Sequence, residues 1–447
     1  MKKFVDTLKN IWKVEELRRR LLLTFGLILV YRIGSFIILP GVNQGALGGT
    51  SNATGLVGLL DLFAGGAFSK ASVMALGIMP YISASIIMQL LGMAVPVVQK
   101  MQKEGESGRR KINSYTRILT IAICAFQAPS YLNMYVLQDG GNLTMEPDMM
   151  WWVSSIILLI AGTMFAMWLG ERITDRGVGN GISLLITVGI LARFPGSIIS
   201  EFTDRMQGAG SIFMFVVELL VFFAIIMVVT LIVQGVRRVP INYAKRVVGG
   251  GKAGLDQTAR SYIPLKVNAS GVMPIIFAQA IMTVPTMIPL DSTNVVLNAL
   301  ADFRGFWYNF TFAVLIIVFT YFYTAITINP KQIADDLKRN GGFIPGVKPG
   351  TDTAEFIDNI LSRITLPGSI LLAGIAIIPA FAMMFGIGDQ FAMFMGGTSM
   401  LIMVGVVLDT LSQIETYLIN RHYDGLMESG RIRGRRGNAV TSSGNIA

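Results

Sequence analysis

The sequence predicts an all-α membrane protein: ten transmembrane helices in two inverted, pseudo-symmetric halves of five, with a short re-entrant helix. Three observations carry that prediction. Of the 447 residues, 53% are hydrophobic and only 14% are charged, which excludes a soluble enzyme with one apolar anchor. Apolar runs of spanning length recur near 20–39, 72–95, 116–137, 151–170, 181–200, 212–234, 269–290, 309–329, 364–384 and 398–419. Finally, ALGIMPYISASIIMQ at 75–89 and ASGVMPIIFAQAIMT at 269–283 align without a gap, sharing Gly77/Gly271, Met79/Met273, Pro80/Pro274 and Ile82/Ile276. These copies fall in the second and seventh runs. An odd number of crossings separates them, so they traverse the bilayer in opposite directions, with a pathway expected between the halves.

In chain order, residues 1–18 place Phe4, Val5, Leu8, Ile11 and Trp12 near helical spacing among lysines, an amphipathic helix on the cytoplasmic surface. With no short apolar core before a small-residue cleavage site, this segment is expected not to be a removable signal peptide. The first half follows at 19–205. Within it, LVGLLDLFAGGAF at 56–68 is too short to span and must lie on the surface, in a cap, or re-enter the membrane. The fifth crossing opens on GVGNGIS at 177–183, a weak helix start. The second half occupies 206–420 and carries two long cytoplasmic loops, 235–267 and 330–363; a basic cytoplasmic tail fills 421–447. The net charge of +10 is concentrated on the side that holds both termini, whereas the opposite side offers only Lys70, Arg193, Arg205 and Arg304. The positive-inside rule then puts both termini in the cytoplasm.

Pro80 and Pro274 each lack a backbone donor and are expected to kink their helices, next to the permissive Gly77 and Gly271. Arg32, Glu218 and Asp409 stand in apolar spans, where such groups sit at an interface or pair with neighbouring helices. The repeat helices hold no ionisable side chain, which argues against an ion-coupled pump. Ser83, Ser85, Gln127 and Asn268 are small polar groups of the kind that join helices; they would equally suit a seam that opens. Ile78 and Ile82 share one helical face, as do Ile182 and Ile186, and Val272 and Ile276. Such faces are lipid-facing or core, or else form a hydrophobic constriction. The basic loops suit anionic lipid, RNA or an acidic protein patch, and basicity alone does not choose. With one cysteine, Cys124, and one histidine, His422, no disulfide, metal site, cofactor or catalytic group is expected. GGGK at 249–252 lacks the spacing of a phosphate loop.

Several segments carry a family resemblance: LFAGGAFSKASVMALGIMPYISASIIMQLL (62–91), KEGESGRRKI (103–112), GTMFAMWLGERITDRGVGNGIS (162–183), NYAKR (242–246), IPLKVNASGVMP (263–274), NPKQIADDLKRNGGFIPGVKPG (329–350) and GGTSMLI (396–402). With them the chain resembles bacterial SecY, the central subunit of the protein-translocation channel, over nearly its whole length. The resemblance implies a pore passing unfolded polypeptides across the bacterial cytoplasmic (inner) membrane, with signal and membrane segments leaving sideways between the second and seventh helices. It assigns a pore ring to Ile78, Ile82, Ile182, Ile186, Ile276 and Ile402. A plug falls around Leu60, Phe63, Gly65 and Gly66, and a lateral-gate seam on Ser83, Gln127 and Asn268. It also implies docking of the SecA motor and the ribosome on the long cytoplasmic loops, through Arg246, Lys252, Arg260, Lys338, Arg339 and Lys348, and assembly with SecE and SecG. Lys348 departs from the arginine usual in that loop and loses the planar bidentate fork. An inverted-repeat carrier of a small solute is the rival reading; it needs a polar or ionic midplane site that the repeat helices lack. An intramembrane protease fails on the absent catalytic groups.

Overall fold

The structure, a computed structural model, describes residues 14–43, 56–137, 148–209, 212–243, 261–268, 270–287, 299 and 302–428. Most of the expected N-terminal helix and the tail from 429 onward therefore lie outside the described residues. Helix α1 (Glu15–Gly34) begins with Glu15 and Glu16 and ends near Arg32, each charge suited to its end of the helix dipole. Beyond it the chain pairs briefly with a later segment. The Leu39 amide donates to Ala71 O (2.9 Å) and the Val73 amide to Ile37 O (2.8 Å). The loop so closed contains α2 (Leu56–Phe63), a helix of eight residues.

The repeat brings the first correction. Met79–Ala94 forms α3 and Met273–Met287 forms α9, and Pro80 and Pro274 each occupy the second position of their helix. There the ring costs no intrahelical hydrogen bond, so the prolines start these helices and do not kink them. The preceding Gly77 (φ +54°) and Gly271 (φ +64°) are left-handed turns leading into that start. The expected span 72–95 thus begins as a turn. A real bend comes at its other end: α3 and α4 (Pro96–Lys103) meet at 105°, because Pro96 holds Val95 extended (φ −109°, ψ 116°).

Helices α5 (Glu106–Tyr131), α6 (Met149–Arg176) and α7 (Gly181–Asp204) complete the expected first half. GVGNGIS proves a sound start for α7, since the Asn180 side chain caps it by accepting from the Ser183 amide (3.4 Å). The second half holds α8 (Ile212–Gln234), α9, α10 (Phe306–Thr327), α11 (Pro330–Arg339), α12 (Thr351–Met384), α13 (Asp389–Met395) and α14 (Gly397–Glu428). By length and apolarity, α6, α7, α8, α10, α12 and α14 suffice to cross a membrane, and the bent α3–α4 pair, if counted as one span, makes a seventh. Ten crossings require α1, α5 and α9 as well. The first two carry arginine clusters and α9 is short.

The fold is mostly but not purely helical, which corrects the all-α class. Within the long loops lie β1 (Val236–Tyr243), β2 (Ser261–Lys266) and β3 (Gly342–Phe343), an antiparallel sheet in the order β2-β1-β3. Val239, Ile241 and Leu265 point inward and meet Leu337, Ile344, Ile357 and Leu361 in a small core of their own. This module rests on α11 and on the first turns of α12. Helix α12 begins thirteen residues before the expected span 364–384 and reaches about 50 Å in all. A larger core joins both halves, drawing Ile82, Ile186, Phe222, Phe277, Leu372 and Ile402 into one cluster.

Candidate functional site

Where the halves meet, a cavity of only ≈ 10 Å³ is lined by Phe63, Met79, Ile82, Ile186, Ile276, Gln279, Thr398 and Ile402. That is room for about one water molecule. The lining comes from α2, α3, α7, α9 and α14, so both copies of the repeat contribute, through Ile82 and Ile276. Four of the six expected ring isoleucines thus share one gap, with Phe63 of the short helix among them. Ile78, buried at the cap of α3, and Ile182, packed against Gly170, stand in the surrounding core and do not line it. Apolar walls this close exclude hydrated ions.

The short helix is seated by polar contacts that sequence reasoning missed. Asp61, fully buried, pairs with Arg193 of α7, and its Oδ1 accepts from the Ser69 amide (2.8 Å). Arg193 Nη2 also donates to Ser69 Oγ (2.7 Å), and Arg32 Nη1 donates to Gly65 O (2.7 Å). Tyr131 Oη donates to Phe68 O (2.8 Å). Gly65 (φ +64°) presses against the α7 backbone so closely that a Cβ there would stand 2.8 Å from Gly189 Cα. Gly66 (φ +86°) turns beneath the Arg193 guanidinium. Of the expected plug residues, the side chain of Leu60 lies outside the described residues. Burial pushes the Asp61 carboxyl above the usual carboxylate range, opposed by Arg193. Lys70, over the Phe36 ring (3.8 Å), is pushed down by burial and by Arg32 and Arg193. The signal available in the sequence was one acid in an apolar stretch and one arginine in an apolar helix.

The expected seam residues are not joined to one another. Among the described residues no hydrogen bond links Ser83, Gln127 and Asn268; the Asn268 Oδ1 accepts instead from Ser270 Oγ (3.3 Å). A different pair spans the halves: Tyr323 Oη of α10 donates to Gln89 Oε1 of α3 (2.7 Å). The Tyr323 ring meets Phe277 of α9 edge-on at 5.5 Å. Tyr323 and Asn268 line a common cavity of ≈ 280 Å³ with Lys266 and Asp409.

Away from that seam, the halves are tied at two other places. Arg205 donates from Nε to Glu201 Oε1 (3.0 Å), and from Nη2 to Glu218 Oε1 (2.7 Å) and Gly386 O (2.8 Å). Glu201 Oε2 accepts from the Gly388 amide (2.9 Å). At the other end, Arg20 reaches Tyr417 Oη (3.2 Å) and the Gly179 amide donates to Gln413 Oε1 (3.0 Å). The sheet module presents exposed Arg237, Arg238, Lys338, Arg339 and Lys348. Arg246, Lys252 and Arg260 lie outside the described residues.

Against known proteins, residues 72–411 match the family model described as SecY. A protein translocase subunit SecY of Thermotoga maritima is 40% identical over 438 residues, 96% of this chain and 99% of that one. Among solved structures, Sec61 in the canine ribosome–channel complex from the endoplasmic reticulum superposes with a TM-score of 0.60 at 17% identity, covering 93% of this chain and 94% of that one. Another is of a SecY protein whose plug domain is said to stabilise the closed state of the translocation channel and maintain a membrane seal. It reaches a TM-score of 0.59 at 17% identity, over 93% and 94% of the two chains.

Proposed function

The chain belongs to the SecY family, and from that membership we propose that it is the pore-forming subunit of a general secretory channel. It passes unfolded polypeptides across the bacterial cytoplasmic membrane and releases membrane segments sideways into the bilayer. It is a channel subunit and not an enzyme, a multi-pass membrane protein with both termini in the cytoplasm. The observation that carries this reading is the ≈ 10 Å³ gap, walled by isoleucines of both halves and filled from one side by Phe63. A resting channel for polypeptide needs such a seal, because a permanent aqueous path would dissipate ion gradients. Ile82, Ile186, Ile276 and Ile402 form the narrowest part of the ring, with Ile78 and Ile182 supporting them. The segment holding Phe63, Gly65 and Gly66 is the plug. Sideways release runs between α3 and the pair α9 and α10, where Gln89 and Tyr323 meet; Asn268 faces the adjoining cavity.

The exposed cations Lys338, Arg339 and Lys348 on the sheet module support docking of a SecA-type motor and of the ribosome, joined by Arg246, Lys252 and Arg260 of the same loops. SecE- and SecG-type small membrane subunits and anionic lipids complete the set of partners. The test is photocrosslinking from a reactive residue in place of Ile82 or Ile276 to a stalled secretory precursor. Adducts along an extended stretch of precursor are expected from both positions. A carrier of a small solute gives none, and their absence with an actively exporting complex overturns the reading.

A further inference from the structure

We propose that Asp61 and Arg193 form a charge latch that holds the short helix α2 in its seat and so keeps the resting constriction shut. The inference rests on the reading of that segment as the seal. An isolated helix of eight residues has no stability of its own, so its position is decided by what it touches. Phe63 supplies apolar contact and the Gly65–Gly189 approach supplies fit, but neither fixes the helix against sliding along α7. The charged pair does, since it connects residues 132 apart through one carboxylate with a defined set of donors. Arg32 on Gly65 O and Arg193 on Ser69 Oγ tie down the turn that follows, so two arginines from two helices converge on one nine-residue segment.

The two partners are not equally placed, and this makes the latch testable. The Asp61 side chain is 0% exposed, whereas that of Arg193 is 29% exposed. Losing Arg193 leaves a buried carboxylate with no cation, facing the amide and hydroxyl of Ser69, a state relieved when α2 leaves its seat and Asp61 regains water. Losing the Asp61 charge leaves a guanidinium that still reaches water and Ser69 Oγ. Arg193→Gln therefore opens the channel more than Asp61→Asn does. Adding Asp61→Asn to Arg193→Gln removes the buried charge and restores closure.

The measurement is ion conductance of the purified, reconstituted complex without substrate, alongside a variant lacking residues 57–67. Arg193→Gln is expected to raise resting conductance on the order of tenfold or more. Asp61→Asn raises it less, the double variant returns toward the parent, and Arg193→Lys stays quiet. Precursor transport by each variant reports that it has folded. If the deletion leaks while Arg193→Gln does not, or if the double variant leaks as much as Arg193→Gln, the latch is wrong and the seal stands. A deletion that stays as tight as the parent overturns both.

Discussion

At the scale of single residues, the repeated Gly-x-Met-Pro is a device for starting a helix abruptly. Gly77 and Gly271 take left-handed backbone conformations that a side chain disfavours by about 1–2 kcal/mol. Among the described residues, nothing lies within 4 Å of where a Cβ on Gly271 would point, so its requirement there is conformational. Gly271→Ala is accordingly expected to cost about 1–2 kcal/mol, seen as a lowered unfolding midpoint of the detergent-solubilised complex. Pro274→Ala and Pro80→Ala should shift that midpoint by less than about 1 kcal/mol, because neither proline interrupts a hydrogen-bonded turn. A large loss at the prolines, with the glycine change silent, would restore the kink. The motif itself was legible in the sequence, and its meaning was not: whether a proline bends or begins a helix depends on where the preceding chain turns. The Asp61–Arg193 pair was harder still. Each residue was visible as an isolated charge in an apolar run, but only tertiary structure brings α2 onto α7.

At the scale of elements, α3 meets the second half in the shared apolar core and through the side-chain hydrogen bond from Tyr323 to Gln89. Small polar residues in spans drew attention to Ser83, Gln127 and Asn268, yet Gln89 and Tyr323 lie 234 positions apart and share no periodic signal. A hydrogen bond between neutral groups contributes about 0.5–1.5 kcal/mol. Tyr323→Phe keeps the ring against Phe277 and deletes only the donor, so it should weaken closure by about 1 kcal/mol, roughly a fivefold shift toward the open seam. The readout is export of a reporter carrying a defective signal sequence, which is expected to rise severalfold. Unchanged export at normal channel abundance would remove this bond from the gate. The sheet module was legible in part. Val239 and Ile241, like Ile263 and Leu265, alternate with exposed residues, the period of a strand. That alternation is short, and glycine-rich sequence between the strands made the whole loop read as irregular.

At the scale of the whole molecule, cations differ in whether a carboxylate compensates them. The few cations expected opposite the termini are largely neutralised in place: Arg193 by Asp61, Arg205 by Glu201 and Glu218, and Arg304 by Asp389. Those of the sheet module stay exposed. At the expected boundary between the halves, directly after Arg205, a buried cluster holds α7, α8 and the turn at Gly386–Gly388 together. If the halves part at the Gln89–Tyr323 seam, this cluster is the hinge that must stay intact. Its side chains are 9% exposed for Arg205 and 4–5% for the two carboxylates, so they behave as one buried unit. Arg205→Gln would leave two desolvated carboxylates without a cation, a loss of about 3–5 kcal/mol. The expected result is a large fall in the unfolding midpoint of the solubilised complex and in its abundance in the membrane. Adding Glu218→Gln should recover much of that loss, because one carboxylate then no longer needs compensation. A double variant no more stable than Arg205→Gln would mean that the cluster does not act as a unit and that the hinge is held by apolar packing alone.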